Sequence, residues 1–519
     1  MKKEKVGVLD IGSNSIRLVI HKIDDQKRYR QLHNLKQVAR LSSHIDLEGR
    51  LTPEGFDVLK SALIKFEEII QHHHVTKVKV AATAAIRNAV NQQDILDFIH
   101  KETSLYVRVL SGKEEAYYGY LAVVNSTSLR EGITVDIGGG STEVTYFHNR
   151  RLIYSHSFPF GALTLKKQFY GEDGNRQANP RQFYRFLKTE FAKIPWLKNK
   201  KVPVIGIGGS ARNMALIHQR IEKYPLAGLH QYSMAPKQVE STLRLLEQTP
   251  LSKRADIEGL SKDRADIIVP AVRVIQGLME YSKSPFFIMS NKGLRDGLLF
   301  EEILRDEEDK LFPNVTEESF YQLGREYEIQ HDHISEVSRL AEQLYSQLEN
   351  HLPYYLKQET NVYLLKTSAK VLYMGEYIDD EASVQHTFYL LTNRSIDGIS
   401  HQERLAIAFI SSFKSQSYLQ QFAMPYKRYV SQRLLQRYEL LGSILKLAYS
   451  LNRTRRNVIT HLDTERDGKN IAIHLYCTPG ASPYFEEIKS EKYKKHLEKT
   501  LGKKISLYFH REERSYHRV

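Results

Sequence analysis

Cysteine is almost absent: Cys477 is the only one in 519 residues. An intramolecular disulfide and any cysteine-based metal cluster are thereby excluded, and a reducing cytoplasm fits. Long apolar runs are missing too. The first strand-like stretch, V-G-V-L-D from Val6 to Asp10, is too short for a signal peptide, and no uncharged stretch of membrane-spanning length follows. The expectation is an intracellular protein with no membrane partner. Acidic residues are also in deficit, with 61 Asp plus Glu against 75 Lys plus Arg. The imbalance is concentrated near the end, where Lys414 to Arg518 holds 21 basic and 10 acidic residues. Most single surface charges are merely solvated, but a clustered excess favours a polyanionic partner.

The remaining composition, 41% hydrophobic and 26% charged, is that of a globular chain. Its length accommodates roughly two to four domains. The chain is organised around V-D-I-G-G-G-S-T-E, Val135 to Glu143. Apolar residues enter it and an alternating run leaves it, which reads as strand, tight turn, strand. Gly138, Gly139 and Gly140 can turn unshielded amides inward as an anion-binding nest. Ser141 and Thr142 add hydroxyls. Asp136 and Glu143 bracket the turn, and carboxylates beside a phosphate cradle make sense when a divalent cation lies between them. A hairpin turn with no ligand is the plainer alternative.

A second copy lies upstream. Val6 to Val19 reads V-G-V-L-D-I-G-S-N-S-I-R-L-V, so that Asp10 corresponds to Asp136, Gly12 to Gly138 and Ser15 to Ser141. A repeat of that length suits a duplicated α/β domain, each copy opening on a hairpin that faces a shared cleft. Between the copies, Thr52-Pro53-Glu54 starts an amphipathic helix through Ile70. Adjacent histidines, as in His72 to His74, cannot easily converge on one ion. Arg87 is expected at the start of a helix that follows the strand Val78 to Ala82, a position suited to an anion. Glu114 and Glu115 open the next helix. Adjacent helical residues point about 100° apart, so at most one of them faces the cleft.

Downstream, Gly171 to Pro180 reads as a polar linker, and the strand Val202 to Ile207 leads into Gly208, Gly209 and Ser210, with a helix from Ala211. Strand, Gly-Gly-Ser, helix is a further phosphate- or nucleotide-binding format. Strands and helices alternate to Leu304. The acidic run Glu301 to Lys310 marks a boundary; long helices follow to Leu451, and a basic α+β tail ends the chain. The expected domains are residues 1–125, 126–308, 309–451 and 452–519.

Seven segments in order resemble the exopolyphosphatase and guanosine pentaphosphate phosphatase family, within the superfamily of actin, Hsp70 and the sugar kinases: D-I-G-S-N-S, T-A-A-I-R-N-A, S-G-K-E-E-A, D-I-G-G-G-S-T-E, G-I-G-G-S, R-A-D-I and S-N-K-G-L-R-D-G. The resemblance implies an α/β fold of duplicated ribonuclease H-like (actin-like ATPase) domains, an all-α HD-like domain and a small α+β C-terminal domain. It implies that Glu115 is the general base. Asp136, Glu143 and Asp10 would lie on the side of a Mg²⁺ ion. Ser13, Asn14, Arg87 and Gly138 to Thr142 would hold the terminal phosphates, and Gly208 to Ser210 would form the nucleotide loop, with serine at Ser210 where threonine is usual. His333 matches the first HD-type histidine, but Tyr373 and Met374 stand where the metal-binding pair should be. Neither can make a hard-cation site, so a second phosphohydrolase centre is not expected.

The expected function is exopolyphosphatase: Mg²⁺-dependent, processive removal of terminal phosphate from inorganic polyphosphate, by a cytoplasmic homodimer. Alternatives are guanosine pentaphosphate 5′-phosphatase, transfer from polyphosphate to ADP, and non-catalytic polyanion binding.

Overall fold

The computed structural model describes residues 4–171 and 179–511; residues 172–178 of the expected linker lie outside them. The chain divides into two compact units, Met1–Tyr224 with Leu229–Thr316, and Pro225–Gly228 with Glu317–Val519.

The first unit contains two sheets that follow the same path. In the first sheet, β1 (Glu4–Ile11) pairs antiparallel with β2 (Ser15–Ile23), and β2 pairs antiparallel with β3 (Tyr29–Val38). On its other side β1 pairs parallel with β4 (Lys77–Ala82), which carries β5 (Val107–Val109). The second sheet repeats this with the meander β6 (Glu131–Ile137), β7 (Thr142–His148) and β8 (Arg151–Phe158). Strand β9 (Val204–Ile207) joins β6 in parallel, and β10 (Ser233–Met234) extends the edge beyond β11 (Phe287–Met289). The strand orders, 3-2-1-4-5 and 8-7-6-9-11-10, therefore coincide apart from the added edge strand.

The sequence repeat holds to the residue. Asp10 pairs with Arg17 across the first hairpin, and Asp136 pairs with Glu143 across the second. In both turns the leading glycine amide donates back to the serine carbonyl, Gly12 to Ser15 at 3.2 Å and Gly138 to Ser141 at 2.9 Å.

Central strands covered on both faces need near-continuous apolar sequence, which β1 and β6 have. Helix Pro53–His72 is capped by Thr52, whose hydroxyl accepts the Gly55 N–H at 3.3 Å, and it buries Leu59, Leu63 and Phe66 under the first sheet. Helices Gly112–Val124 and Leu294–Ile303 share one core with strand residues of both sheets: Tyr118, Leu121 and Phe300 pack with Val6, Val8, Ile205 and Ile207. That common core brings the two hairpins to a single cleft.

The second unit is helical. Its central helix, Gln432–Leu451, is buried continuously from Tyr438 to Leu451. A three-stranded sheet follows: β12 (Ile459–Asp467) runs antiparallel to β13 (Asn470–Cys477), and β14 (Ile505–His510) runs parallel to β13. Only β13 and β14 were legible as strands in the sequence, because β12 is charged along its exposed face. The expected boundary at residue 451 falls inside this unit. Arg339 of the helix His331–Leu348 donates from Nη2 to the Ile459 carbonyl at 2.7 Å and from Nη1 to the Thr460 carbonyl at 2.9 Å, which ties the sheet to the helices before it.

His333 is buried against Tyr449, whose ring also meets Tyr373 edge-on. Burial, then the Arg455 and Arg453 charges, depresses the His333 imidazole to about 4. Among the described residues no group of three or more His, Cys, Asp or Glu side chains is placed to hold a metal ion. A helical region with a sheet is what is present.

Candidate active site

The cleft between the two hairpins has a volume of about 570 Å³. Asp10, Ser13, Asn14, Glu115, Asp136, Gly138, Gly139, Ser141, Glu143 and Gly209 line it. Residues from both sequence repeats and from the helix between them therefore meet in one place.

Glu115 reaches the cleft because its neighbour does other work. Glu114 forms a capping box with Ser111 and an ion pair with Arg108, which fixes the first turn of helix Gly112–Val124. Glu115 then points to the other side, where Arg87 Nη1 donates to its Oε1 at 2.7 Å and to the Leu110 carbonyl at 2.8 Å. Arg87 closes a short helix, Ala84–Arg87, rather than opening one. Its long side chain still reaches an anion, but that anion is the Glu115 carboxylate.

The carboxylates are electrostatically crowded. Burial, and after it the Glu143 charge, pushes Glu115 up to about 8 despite Arg87. Burial, and next Asp136, raises Glu143 to about 7, although Ser157 Oγ donates to its Oε1 at 2.8 Å. Asp136 is raised to about 6 by burial and then by Asp10. Asp10 is raised by burial, against the pull of Arg295 and Arg17. Buried acids that repel one another hold their protons unless a cation arrives.

The glycine turn is pinned from behind. The amides of Ala162 and Leu163 donate to the Gly138 and Gly139 carbonyls, each at 2.9 Å. The Gly138 amide is used within the turn, so the nest reduces to the amides of Gly139, Gly140 and Ser141. Thr142 is withdrawn as well: it is buried and its hydroxyl donates to the Phe160 carbonyl at 2.7 Å. On the opposite hairpin Asn14 keeps a buried Nδ2 with no hydrogen-bond acceptor, an orphaned donor beside the cleft.

The third phosphate format takes a different form from the one expected. Helix Gly208–Ile221 begins directly at the end of β9, with no intervening loop. A Cβ at Gly208 would strike the Asp136 carboxylate, and one at Gly209 the Arg264 guanidinium. Ser210 is buried and meets Arg264 Nη1 at 3.3 Å. These residues position Asp136 and Arg264, and only Gly209 borders the cleft.

Arginines are what sequence reading overlooked. Arg17, Arg212, Arg264 and Arg295 are close enough that their mutual repulsion adds to burial in lowering Arg17 to about 10. Arg295 Nη1 lies 3.5 Å from Asp10. The repeat offset was a usable signal for Arg17, since it places that residue opposite Asp10 as Glu143 stands opposite Asp136.

The donor set suits a hard divalent cation held by few protein oxygens and completed by substrate oxygens and water. Asp136 and Glu143 would hold it, with Asp10 facing them. Three mutually repelling acids and the orphaned Asn14 amide are the observations that fit such a charge.

Residues 19–306 match the Ppx/GppA phosphatase family and residues 315–483 its domain III. The chain belongs to the Ppx/GppA phosphatase family. Among its relatives, "Exopolyphosphatase 1" of Mycobacterium tuberculosis is 27% identical over 310 residues, covering 58% of this chain and 88% of the relative. The "Guanosine-5'-triphosphate,3'-diphosphate pyrophosphatase" of Vibrio campbellii is 25% identical over 420 residues, covering 78% of this chain and 79% of the relative. The match to a "Bifunctional 3-dehydroquinate synthase/phosphatase" of Fusobacterium nucleatum, at 22% identity, covers 56% of this chain and only 46% of that longer protein. The crystal structure of the Aquifex aeolicus Ppx/GppA family member aligns with a TM-score of 0.53 at 26% identity, over 59% of this chain and 100% of that one.

One mutation tests the pinned turn. A Cβ at Gly161 would lie 2.5 Å from the Gly138 carbonyl oxygen and 2.6 Å from the Gly139 carbonyl carbon and oxygen. Those are backbone atoms with nowhere to move. Gly161→Ala is expected to cost about 1–3 kcal/mol of stability and to lower phosphatase activity, read by thermal melting and phosphate release. Unchanged values for both would show the turn to be compliant.

Proposed function

We propose that this Ppx/GppA protein is an exopolyphosphatase that removes terminal phosphate processively from inorganic polyphosphate with Mg²⁺. The observation that carries the reading is Glu115, aimed into a cleft that Asp136, Glu143 and Asp10 also line, and held from behind by Arg87. A nucleotide-binding cleft alone needs no such base.

Phosphoryl transfer needs positioning, charge neutralisation and an oriented water more than covalent help from the protein. Glu115 orients the water and takes its proton as the water oxygen bonds to the terminal phosphorus. The bridging P–O bond breaks, and the shortened chain leaves with the bridging oxygen. Gly139, Gly140 and Ser141 amides, Ser13 and Asn14 hold phosphate oxygens, and Arg264 and Arg295 offset charge along the departing chain. A bound divalent cation supplies Lewis-acid polarisation of the phosphoryl group. The basic excess of Lys414 to Arg518 favours a polyanionic substrate as well. The same reading places the enzyme in the cytoplasm, as a homodimer.

Guanosine pentaphosphate is the second substrate reading, supported by the more extensive match to the Vibrio relative. Phosphate release from long polyphosphate and from guanosine pentaphosphate, each with Mg²⁺ and with or without ADP, separates the two. Faster release from polyphosphate, unaffected by ADP, is expected. Preference for the nucleotide would reassign the substrate, and ATP formation from added ADP would reassign the reaction to phosphotransfer.

A further inference from the structure

A second cavity of about 540 Å³ lies across the glycine turn from the cleft. Its side chains differ in kind. Arg87, Lys113 and His156 line it together with the serines Ser141, Ser155 and Ser157, and no carboxylate does. The cleft, by contrast, is rich in carboxylates, Asp10, Glu115, Asp136 and Glu143 among them, beside cations such as Arg264.

The partition runs through the catalytic ion pair itself. Glu115 lines the cleft and Arg87 lines the second cavity, while Ser141 borders both. Arg87 uses Nη1 for Glu115 and for the Leu110 carbonyl, and its Nε and Nη2 have no protein hydrogen bond among the described residues. Lys113 forms no ion pair among them. A Cβ on Gly140 would meet nothing within 4 Å, so the turn leaves open space at this border.

We propose that this second cavity is a phosphate site that receives the orthophosphate released at each turnover. This rests on the hydrolytic reading above. A phosphate dianion freed beside Glu115, Glu143 and Asp136 stands among carboxylates that repel it whenever they are ionised. The adjoining space offers the unpaired Lys113 ammonium, the Arg87 N–H groups that Glu115 does not use, and serine hydroxyls, with no carboxylate among its lining residues. Transfer across the Ser141 border clears the cleft for the next terminal phosphate without requiring the polymer to leave.

Lys113 is solvent-exposed and outside the catalytic constellation, so its replacement tests the site without endangering the fold. Lys113→Ala is expected to weaken product inhibition by orthophosphate about tenfold while the KM for polyphosphate stays within twofold. Phosphorus NMR titration of inorganic phosphate into the resting protein should show the same loss. Unchanged phosphate affinity would overturn the proposal. A parallel rise in KM and inhibition constant would overturn it too, because the cavity would then hold the substrate's end. Should the protein release no phosphate from polyphosphate, Lys113-dependent binding of inorganic phosphate would still support the site while the hydrolytic reading failed.

Discussion

Glu115→Gln is expected to melt at or above the temperature of the parent protein, to bind polyphosphate as well, and to turn over about a thousandfold more slowly. The fold should survive because glutamine keeps the shape and an amide oxygen that still accepts from Arg87. It also removes a group whose ionisation is opposed by burial and by Glu143. The rate should fall because an amide cannot take the proton of the attacking water. Phosphate release, thermal melting and polyphosphate binding on one preparation check all three points. A rate within tenfold of the parent would assign the base to another residue, and Glu143 would be the next candidate.

The second large effect concerns cation binding and pH. Glu115, Glu143 and Asp136 have folded-state pKa values of about 8, 7 and 6, all above the ordinary carboxylate range. A carboxyl group whose folded value is raised contributes stability that is fully present below its unfolded value. That contribution is lost as pH rises through the folded value. Without a divalent cation, stability should therefore decline from about pH 4.5 to about pH 8 as these acids are forced to ionise. On the proposed function, Mg²⁺ would bind the ionised forms and offset the repulsion. Saturating Mg²⁺ is thus expected to raise Tm by several degrees at pH 8 and by little at pH 5, where the acids already carry protons. Equal shifts at the two pH values would remove Asp136 and Glu143 from the cation site.

Much of this was legible because the chemistry repeats. The two D-I-G motifs, the helix start at Glu114 and Glu115 with only one of them free to face the cleft, and the strand–helix alternation are local patterns, and local patterns survive folding. The parts that escaped were long-range. Nothing near Arg87 reveals that its partner is Glu115, because the helix that was expected to present it is a single turn. Arg264 and Arg295 were visible within motifs, but only folding brings them to Asp136, Asp10 and Arg17. Thr142 looked like a phosphate ligand from its place beside Ser141; strand alternation turned its hydroxyl to the Phe160 carbonyl instead.

The paired hairpins have one further consequence. Asp10 and Asp136 occupy equivalent places, but the residue across from the first is Arg17 and the residue across from the second is Glu143. An internal P–O–P link reads the same from either end, so a cleft with two equivalent walls could not tell the phosphorus to be attacked from the one to be released. The reversal of charge between Arg17 and Glu143 removes that ambiguity. On the proposed chemistry, the wall with Glu143 and Glu115 receives the water, and Arg17, across the strand pair from Asp10, gives the other copy the opposite charge. The duplicated fold thus obtains direction from positions at which its two copies disagree, the reversal of charge between Arg17 and Glu143 foremost.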